Sequence, residues 1–142
     1  MSGTLFDTSI YVTAMRRTND WVRLLQQLSA GGSLWLSAVV LEELYAGSGE
    51  RSKVWVELLE REFVRENRIL IPNLEDWTQT GELLNRLTLK YDYEQIGRGR
   101  LTNDALIATS AGRRGITVVT ANAKDFRRLA EFHSFQWQVT GA

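Results

Sequence analysis

Thr4-Leu5-Phe6-Asp7-Thr8-Ser9 is the stretch from which the fold of this chain is most directly predicted. The residues from Thr4 to Asp7 are typical of a short apolar strand, and Thr8 or Ser9 can cap a helical turn after it. The same alternation of strand and helix recurs downstream. Short apolar strands separated by helical patterns indicate an α/β fold with a mainly parallel sheet, in which functional residues collect beyond the carboxyl ends of the strands.

The other elements are predicted from hydrophobic periodicity and from capping residues. Strands are predicted at residues 34–36, 68–71, 117–119 and 135–139. Helices are predicted to begin at Asn19 and to span 38–46, 52–65, 74–90, 104–114 and 122–129, with a loop over 91–100. The predicted helix caps are Ser37 and either Thr102 or Asn103, the predicted helix ends are Gly31–Gly32 and Gly47, and Gly115 is predicted to turn the chain.

The composition predicts one domain over residues 1–142. A chain of 142 residues with 44% hydrophobic content can bury one core, and five Trp, four Tyr and five Phe argue against disorder. The absence of cysteine excludes disulfides, thiolate nucleophiles and cysteine-ligated zinc. Since no apolar run approaches the ~20 residues that span a bilayer, and Met1 begins no apolar leader, we expect a cytoplasmic protein without a membrane segment.

Acidic residues stand at the positions where such a fold carries chemistry. Asp7 and Asp125 each follow an apolar strand directly, and helix capping is the alternative role for both. Asp104 shares a predicted helix face with Ile107 and Ala108. A charge on that packed face needs a cation or several hydrogen-bond donors, unless the side chain tilts toward solvent.

A further acid comes from the predicted helix over 38–46. Glu42 and Glu43 flank the apolar stripe of that helix about equally, so periodicity does not choose between them. Several carboxylates that converge at one sheet edge repel each other unless a divalent cation is present. Their hard oxygen ligands suit Mg²⁺ or Mn²⁺, which predicts hydrolysis of a phosphodiester.

Four blocks of the sequence, in this order, resemble those of PIN domains, and most closely those of the ribonuclease toxins of VapBC toxin-antitoxin pairs. The blocks are Phe6-Asp7-Thr8-Ser9, Leu41-Glu42-Glu43-Leu44-Tyr45-Ala46-Gly47, Asn103-Asp104-Ala105-Leu106-Ile107-Ala108 and Thr120-Ala121-Asn122-Ala123-Lys124-Asp125-Phe126. The helix after Asp104 is less alanine-rich than in many members, and residues 131–138 are less typical.

The resemblance implies a specific site and specific partners. It assigns the second ligand to Glu43 rather than Glu42, which gives an acidic quartet of Asp7, Glu43, Asp104 and Asp125, supported by the polar residues Thr8, Ser9, Thr120 and Asn122. It further implies a three-layer α/β/α sandwich with a parallel sheet of about five strands, a Mg²⁺- or Mn²⁺-dependent endoribonuclease, and a homodimer. The implied partners are an RNA substrate, such as tRNA or another structured RNA, and an antitoxin that blocks the acidic groove.

Basic residues before the third block are candidates for RNA contacts. Arg98 and Arg100 belong to Gly97-Arg98-Gly99-Arg100, which fits neither the dinucleotide-binding nor the P-loop pattern. A basic loop there could bind RNA phosphates, since arginine binds phosphate through two N–H groups. The alternative role is a plain surface loop.

Two other functions compete with the nuclease. A PIN-like module could bind RNA or protein through its groove without cutting. An aspartate-nucleophile phosphatase would use Asp7 as its nucleophile, but Asp7-Thr8-Ser9 lacks the second aspartate two residues later that such a site normally uses for acid-base work.

Overall fold

The computed structural model describes residues 3–17, 21, 23, 25, 33–92 and 100–140. Their five strands form one sheet in which every neighbouring pair is parallel, in the order β3-β2-β1-β4-β5. The strands are β1 (Gly3–Phe6), β2 (Ser33–Ser37), β3 (Ile69–Leu70), β4 (Thr117–Thr120) and β5 (Trp137–Val139). The predicted α/β class and the parallel sheet are confirmed.

Six described helices cover this sheet. They are α1 (Thr8–Arg17), α2 (Ala38–Ala46), α3 (Glu50–Arg65), α4 (Leu74–Tyr91), α5 (Arg100–Arg114) and α6 (Ala123–Ala130). The chain crosses from β1 to β3 in one direction and from β3 past β1 to β5 in the other. Right-handed crossovers therefore place α1 to α3 on one face and α4 to α6 on the other. The helices of each group contact one another, and the result is the predicted three-layer sandwich.

The apolar core lies on both faces of the central strands. Leu5, Leu36 and Val118, from three neighbouring strands, have no exposed surface. Strands buried on both faces must be apolar along their length, which is why the sequence pattern at these strands is a short apolar run rather than an alternation. None of the helices within the described ranges is long and apolar enough to cross a membrane.

The direction of the chain reverses between the two central strands. The chain leaves β1 toward β2 and leaves β4 toward β5, although β1 and β4 are hydrogen-bonded neighbours with Phe6 opposite Val119. The bond from Asp7 N to Val119 O, over 3.0 Å, continues this pairing past the end of β1. In open parallel sheets such a switch point leaves a crevice at the carboxyl ends of the strands, and ligands bind there.

Several predicted boundaries agree with the structure. Ser37 caps α2 by accepting a hydrogen bond from Val39 N over 3.1 Å, and α2 spans the predicted residues. Gly47 was predicted to be the C′ residue, which follows the C-cap, but it is the C-cap itself. Its φ is −93°, so no left-handed conformation is needed there. Gly115 does have a positive φ, 67°, which favours glycine at this turn.

Thr8 and Ser9 lie inside α1 rather than capping it, and the start of α5 differs most from its prediction. The helix expected from Asp104 begins at Arg100, so Thr102 and Asn103 lie inside its first turns and cap nothing. Leu101 is only 2% exposed and stands four residues before the buried Ala105, so the apolar stripe extends one turn earlier than predicted. The helix predicted from Asn19 is described only at Trp21, Arg23 and Leu25, which are helical. Asn19 and Gly31–Gly32 lie outside the described residues.

Candidate active site

Asp7 lies at the switch point, directly after β1, and its side chain is 4% exposed. Both of its carboxylate oxygens accept a hydrogen bond from a hydroxyl group. Ser9 Oγ donates to Asp7 Oδ1 over 2.5 Å, and Thr120 Oγ1 donates to Asp7 Oδ2 over 2.5 Å. The carboxylate is therefore fixed from two sides, by the first turn of α1 and by the end of β4.

Each of these hydroxyls also accepts a hydrogen bond from the backbone after β4. Ala121 N donates to Ser9 Oγ over 3.1 Å, and Asn122 N donates to Thr120 Oγ1 over 2.8 Å. Because a hydroxyl has a single proton, an oxygen that accepts from these N–H groups directs that proton to Asp7. The end of β1 and the segment after β4 are thus joined by two parallel relays through side chains.

Burial raises the pKa of Asp7 above its ordinary value of 3.8. The hydroxyls of Ser9 and Thr120 and the backbone N–H groups of Ile10 and Ser9 act in the opposite direction, but burial is the larger cause. The backbone contacts show that Asp7 also has the capping role considered as its alternative. Its negative charge is nevertheless only partly compensated by the protein, and a bound cation would supply the remainder.

Glu43 reaches the residue next to Asp7. Thr8 Oγ1 donates a hydrogen bond to Glu43 Oε1 over 2.7 Å, which joins the start of α1 to α2. Glu43 is half-buried, whereas Glu42 on the same helix is exposed. The structure therefore distinguishes two acids that helical periodicity treats as equivalent.

Asp125 is held on the other side of Asp7. Asn122 Nδ2 donates to Asp125 Oδ2 over 3.0 Å within the first turn of α6, and both residues are half-buried. Since Asn122 N is bonded to Thr120 and Thr120 to Asp7, a continuous series of hydrogen bonds connects Asp125 with Asp7.

Asp104 is half-buried on α5. This helix contacts both α2, which carries Glu43, and α6, which carries Asp125. Across the described part of the chain, no three acidic, histidine or cysteine side chains stand close enough together to hold a metal ion.

The donor chemistry nevertheless fits Mg²⁺ or Mn²⁺. Mg²⁺ usually keeps several waters and is bound through one or two protein carboxylates, so a cluster of three is not required. Every candidate ligand is an oxygen donor, as these hard cations prefer, and Asp7 is a buried carboxylate with a raised pKa. The environment of Asp7 therefore favours an added cation.

A groove of about 350 Å³ opens beside Glu43. It runs between α1, α2 and α3 and has apolar walls formed by Val12, Met15, Leu44 and Trp55. Two arginines, Arg16 and Arg51, also line it. Sequence reasoning missed these arginines, because they lie on separate helices and neither stands in a recognisable motif.

The predicted RNA-contact residues fall at the limit of the described chain. Arg98 lies outside the described residues. Arg100 begins α5, and its side chain is not among those described. Both remain predictions from the sequence.

Comparison with known proteins agrees with this architecture. The PIN-domain family model matches residues 4–132, a range that includes all of the proposed acidic quartet. No curated protein matches the sequence.

Solved structures are similar over almost the entire chain. DNA-bound VapBC from Salmonella typhimurium has a TM-score of 0.71 and 22% identity, over 98% of this chain and 98% of that chain. VapBC2 from Rickettsia felis, bound to a DNA fragment from their promoter, has a TM-score of 0.67 and 25% identity, over 96% and 98%. VapBC-1 from nontypeable Haemophilus influenzae has a TM-score of 0.65 and 27% identity, over 96% of each chain.

Proposed function

The chain belongs to the PIN-domain family, whose members are generally metal-dependent nucleases, and we propose that it is an endoribonuclease that hydrolyses RNA phosphodiester bonds with Mg²⁺ or Mn²⁺. The observation that carries this proposal is the buried Asp7 carboxylate at the switch point, which both Ser9 and Thr120 orient. Burial penalises the charge of a carboxylate that has only a structural role. A ligand for a cation gains from it, because attraction strengthens where water is excluded.

In this proposal the acidic quartet of Asp7, Glu43, Asp104 and Asp125 holds the metal. The bound ion would polarise the phosphoryl group and lower the pKa of a bound water. Ser9 and Thr120 keep the two Asp7 oxygens in place, Thr8 positions Glu43, and Asn122 positions Asp125. None of these contacts has to form during the reaction, so the orientation of the site is established before RNA binds.

The reaction adds water across one P–O bond. The water oxygen joins phosphorus, its proton passes to a carboxylate oxygen of the quartet, and the leaving sugar oxygen takes up a proton as its bond to phosphorus breaks. Glu43 and Asp125 are half-buried, whereas Asp7 is buried. The carboxylates of Glu43 and Asp125 are therefore more accessible to that proton than the carboxylate of Asp7. The proposed substrate class is tRNA or another structured RNA.

We further propose that the protein is the toxin of a toxin-antitoxin pair, acting in the cytoplasm as a homodimer that inhibits translation. The relatives with 25% and 27% identity are VapBC complexes. In this chain, the groove beside Glu43 combines apolar walls with Arg16 and Arg51, so an antitoxin segment with apolar and acidic residues would fit it. Such a segment would block access to Glu43.

The decisive experiment compares two neighbouring acids. Purified wild-type protein should cut total tRNA in the presence of Mg²⁺ or Mn²⁺, and EDTA should abolish cleavage. Glu43→Gln should lose cleavage, whereas Glu42→Gln, its matched control on the same helix, should cut like wild type. Binding of RNA without cleavage at any metal concentration would instead identify a non-catalytic binding module. Release of phosphate from small esters with RNA left intact would identify a phosphatase.

A further inference from the structure

The groove beside Glu43 is continuous with the proposed metal site. Thr8, which donates a hydrogen bond to Glu43, begins α1, and Val12 and Arg16 follow it on the same side of that helix, four and eight residues later. Arg16 therefore stands about 12 Å from Thr8 along the helix axis. Since Glu43, Val12 and Arg16 all line the groove, it leads away from the metal site along α1.

Two guanidinium groups of this groove have no partner. Arg16 and Arg51 are both exposed, and neither makes an ion pair or a hydrogen bond with any residue in the described part of the chain. Among the described residues that line the groove, Glu43 is the one acid. The groove therefore has two positive charges against one negative charge, and a metal ion held by Glu43 would offset that negative charge.

Trp55 gives the groove an aromatic wall. It is half-buried, and its ring meets the ring of Trp21 edge to face, with the centroids 6.4 Å apart. Trp21 is buried and meets the ring of Tyr11 in the same way, over 5.8 Å. These contacts hold the indole of Trp55 in place. A base that stacks on a side chain already fixed by packing costs little conformational entropy.

We propose that this groove is a nucleotide-binding subsite, which takes an unpaired nucleotide of the RNA next to the bond that is cut. This inference rests on the proposed function. Arg16 and Arg51 bind the phosphate groups of that nucleotide, because a guanidinium group donates two parallel N–H bonds to phosphate oxygens. Its base stacks on Trp55, and Met15, on α1, lies on the groove as a second apolar contact.

The size and the chemistry of the groove fit this occupant. Its volume of about 350 Å³ lies within the ~300 to 1,000 Å³ of sites that bind small ligands, so it can hold one nucleotide but not a duplex. The formal net charge of the chain is zero, so attraction for RNA has to come from local groups such as these two arginines. An acidic antitoxin segment in the same groove would compete directly with the substrate.

The first test measures RNA binding in EDTA, where metal-dependent cleavage is prevented. The probe is a fluorescein-labelled single-stranded RNA of about 20 nucleotides, titrated between about 50 and 200 mM KCl. Arg16→Gln and Arg51→Gln should each bind about 5- to 10-fold more weakly, and the slope of log affinity against log salt should become shallower by about 0.7. Arg17→Gln and Lys53→Gln are the matched controls and should bind like wild type. Each removes an exposed positive charge close in sequence to one of the two arginines but outside the groove.

The second test concerns the stacking surface. Trp55→Leu should weaken RNA binding by about 5-fold or more and leave the salt slope unchanged, because the indole carries no charge. RNA should also quench less tryptophan fluorescence in this variant than in wild type. Trp77→Leu, which removes an exposed tryptophan from α4 on the other face of the sheet, is the matched control and should bind like wild type. The arginine variants leave the contact between Trp55 and Trp21 intact, so they test the subsite even if Trp55→Leu does not fold.

Kinetics and binding together separate the subsite from the nuclease. Arg51→Gln should raise KM for tRNA cleavage with kcat unchanged, because the contact exists both before and during the reaction. If Arg16→Gln and Arg51→Gln bind RNA like their controls, the subsite is overturned and the groove is left to a protein segment alone, while cleavage by wild type would still support the proposed function. If both variants lose binding as expected but wild type never cuts RNA with Mg²⁺ or Mn²⁺, the nuclease fails and the subsite stands as an RNA-binding site. Absence of RNA binding by wild type would overturn the subsite.

Discussion

Thr8 Oγ1 lies 2.7 Å from Glu43 Oε1 and donates a hydrogen bond to it. Thr8 immediately follows Asp7 and is the first residue of α1, so the start of this helix sets the position of an acid 36 residues further along than Asp7. The two sides of the candidate site are therefore connected through a single side chain.

Thr8→Val removes this connection and keeps the shape of the side chain. We expect RNA cleavage to fall by about 5- to 10-fold and the free energy of unfolding to fall by about 1 kcal/mol, because one part-buried hydrogen bond is lost. Thr8→Ser keeps the hydroxyl and serves as the control. Cleavage rates and urea denaturation measure the two effects, and wild-type cleavage by the valine variant would show that Thr8 does not position Glu43.

The pKa of Asp7 predicts a pH dependence of stability in the metal-free protein. Because burial raises this pKa above 3.8, the folded protein still holds a proton that the unfolded chain has released, in the window between about pH 4 and the raised value. The contribution of Asp7 to the free energy of unfolding therefore falls as the pH rises through that window. Asp7→Asn removes the titrating carboxyl group. The variant should therefore lack the change in the free energy of unfolding that Asp7 causes in this window.

Urea denaturation in EDTA from about pH 4 to pH 7 tests this difference. The stability of the asparagine variant should not fall with pH through that window as that of wild type does, and the variant should have no RNA cleavage activity. Glu42→Gln, which changes an exposed acid, is the control for the loss of one negative charge. A fall in stability with pH that is equally steep in the variant and in wild type would contradict the cost assigned to the buried charge.

The substitution Asp104→Asn tests whether Asp104, on α5, is a metal ligand or a structural residue. If Asp104 belongs to the metal site, the substitution should abolish cleavage and leave the metal-free protein as stable as wild type or more stable, because like-charge repulsion decreases. A structural Asp104 would give the reverse result, with activity retained and about 1 to 3 kcal/mol of stability lost. Cleavage assays and denaturation in EDTA are the measurements.

The elements were predictable because their signals are local. Ser37 and Gly47 bracket an apolar stripe within the sequence of α2 itself, so capping and periodicity are sufficient there. The start of α5 was not predictable from its polar residues alone. Leu101 extends that helix through burial against other elements, and a polar pair such as Thr102 and Asn103 can imitate a cap without forming one.

The placement of Asp7 and Asp125 after two strands was predictable, but the contacts that these residues make were not. Asp7 and Asp125 follow apolar strands, and that placement by itself indicates the carboxyl edge of a parallel sheet. The choice between Glu42 and Glu43 depends on Thr8, which belongs to another helix. Likewise, Arg128 meets Tyr91 only after α4 and α6 have packed. Contacts between distant elements leave no periodic signal in the sequence.

The bond from Thr120 to Asp7 joins residues 113 positions apart. During synthesis, a chain that has not yet extended past β4 cannot make it, however well its first half has folded. In a ribosome-bound fragment or a proteolytic product that ends before Thr120, neither of the two hydrogen-bond relays to Asp7, through Ser9 and through Thr120, is complete. The complete set of hydrogen bonds around Asp7 can therefore form only once Thr120, Ala121 and Asn122 have been made.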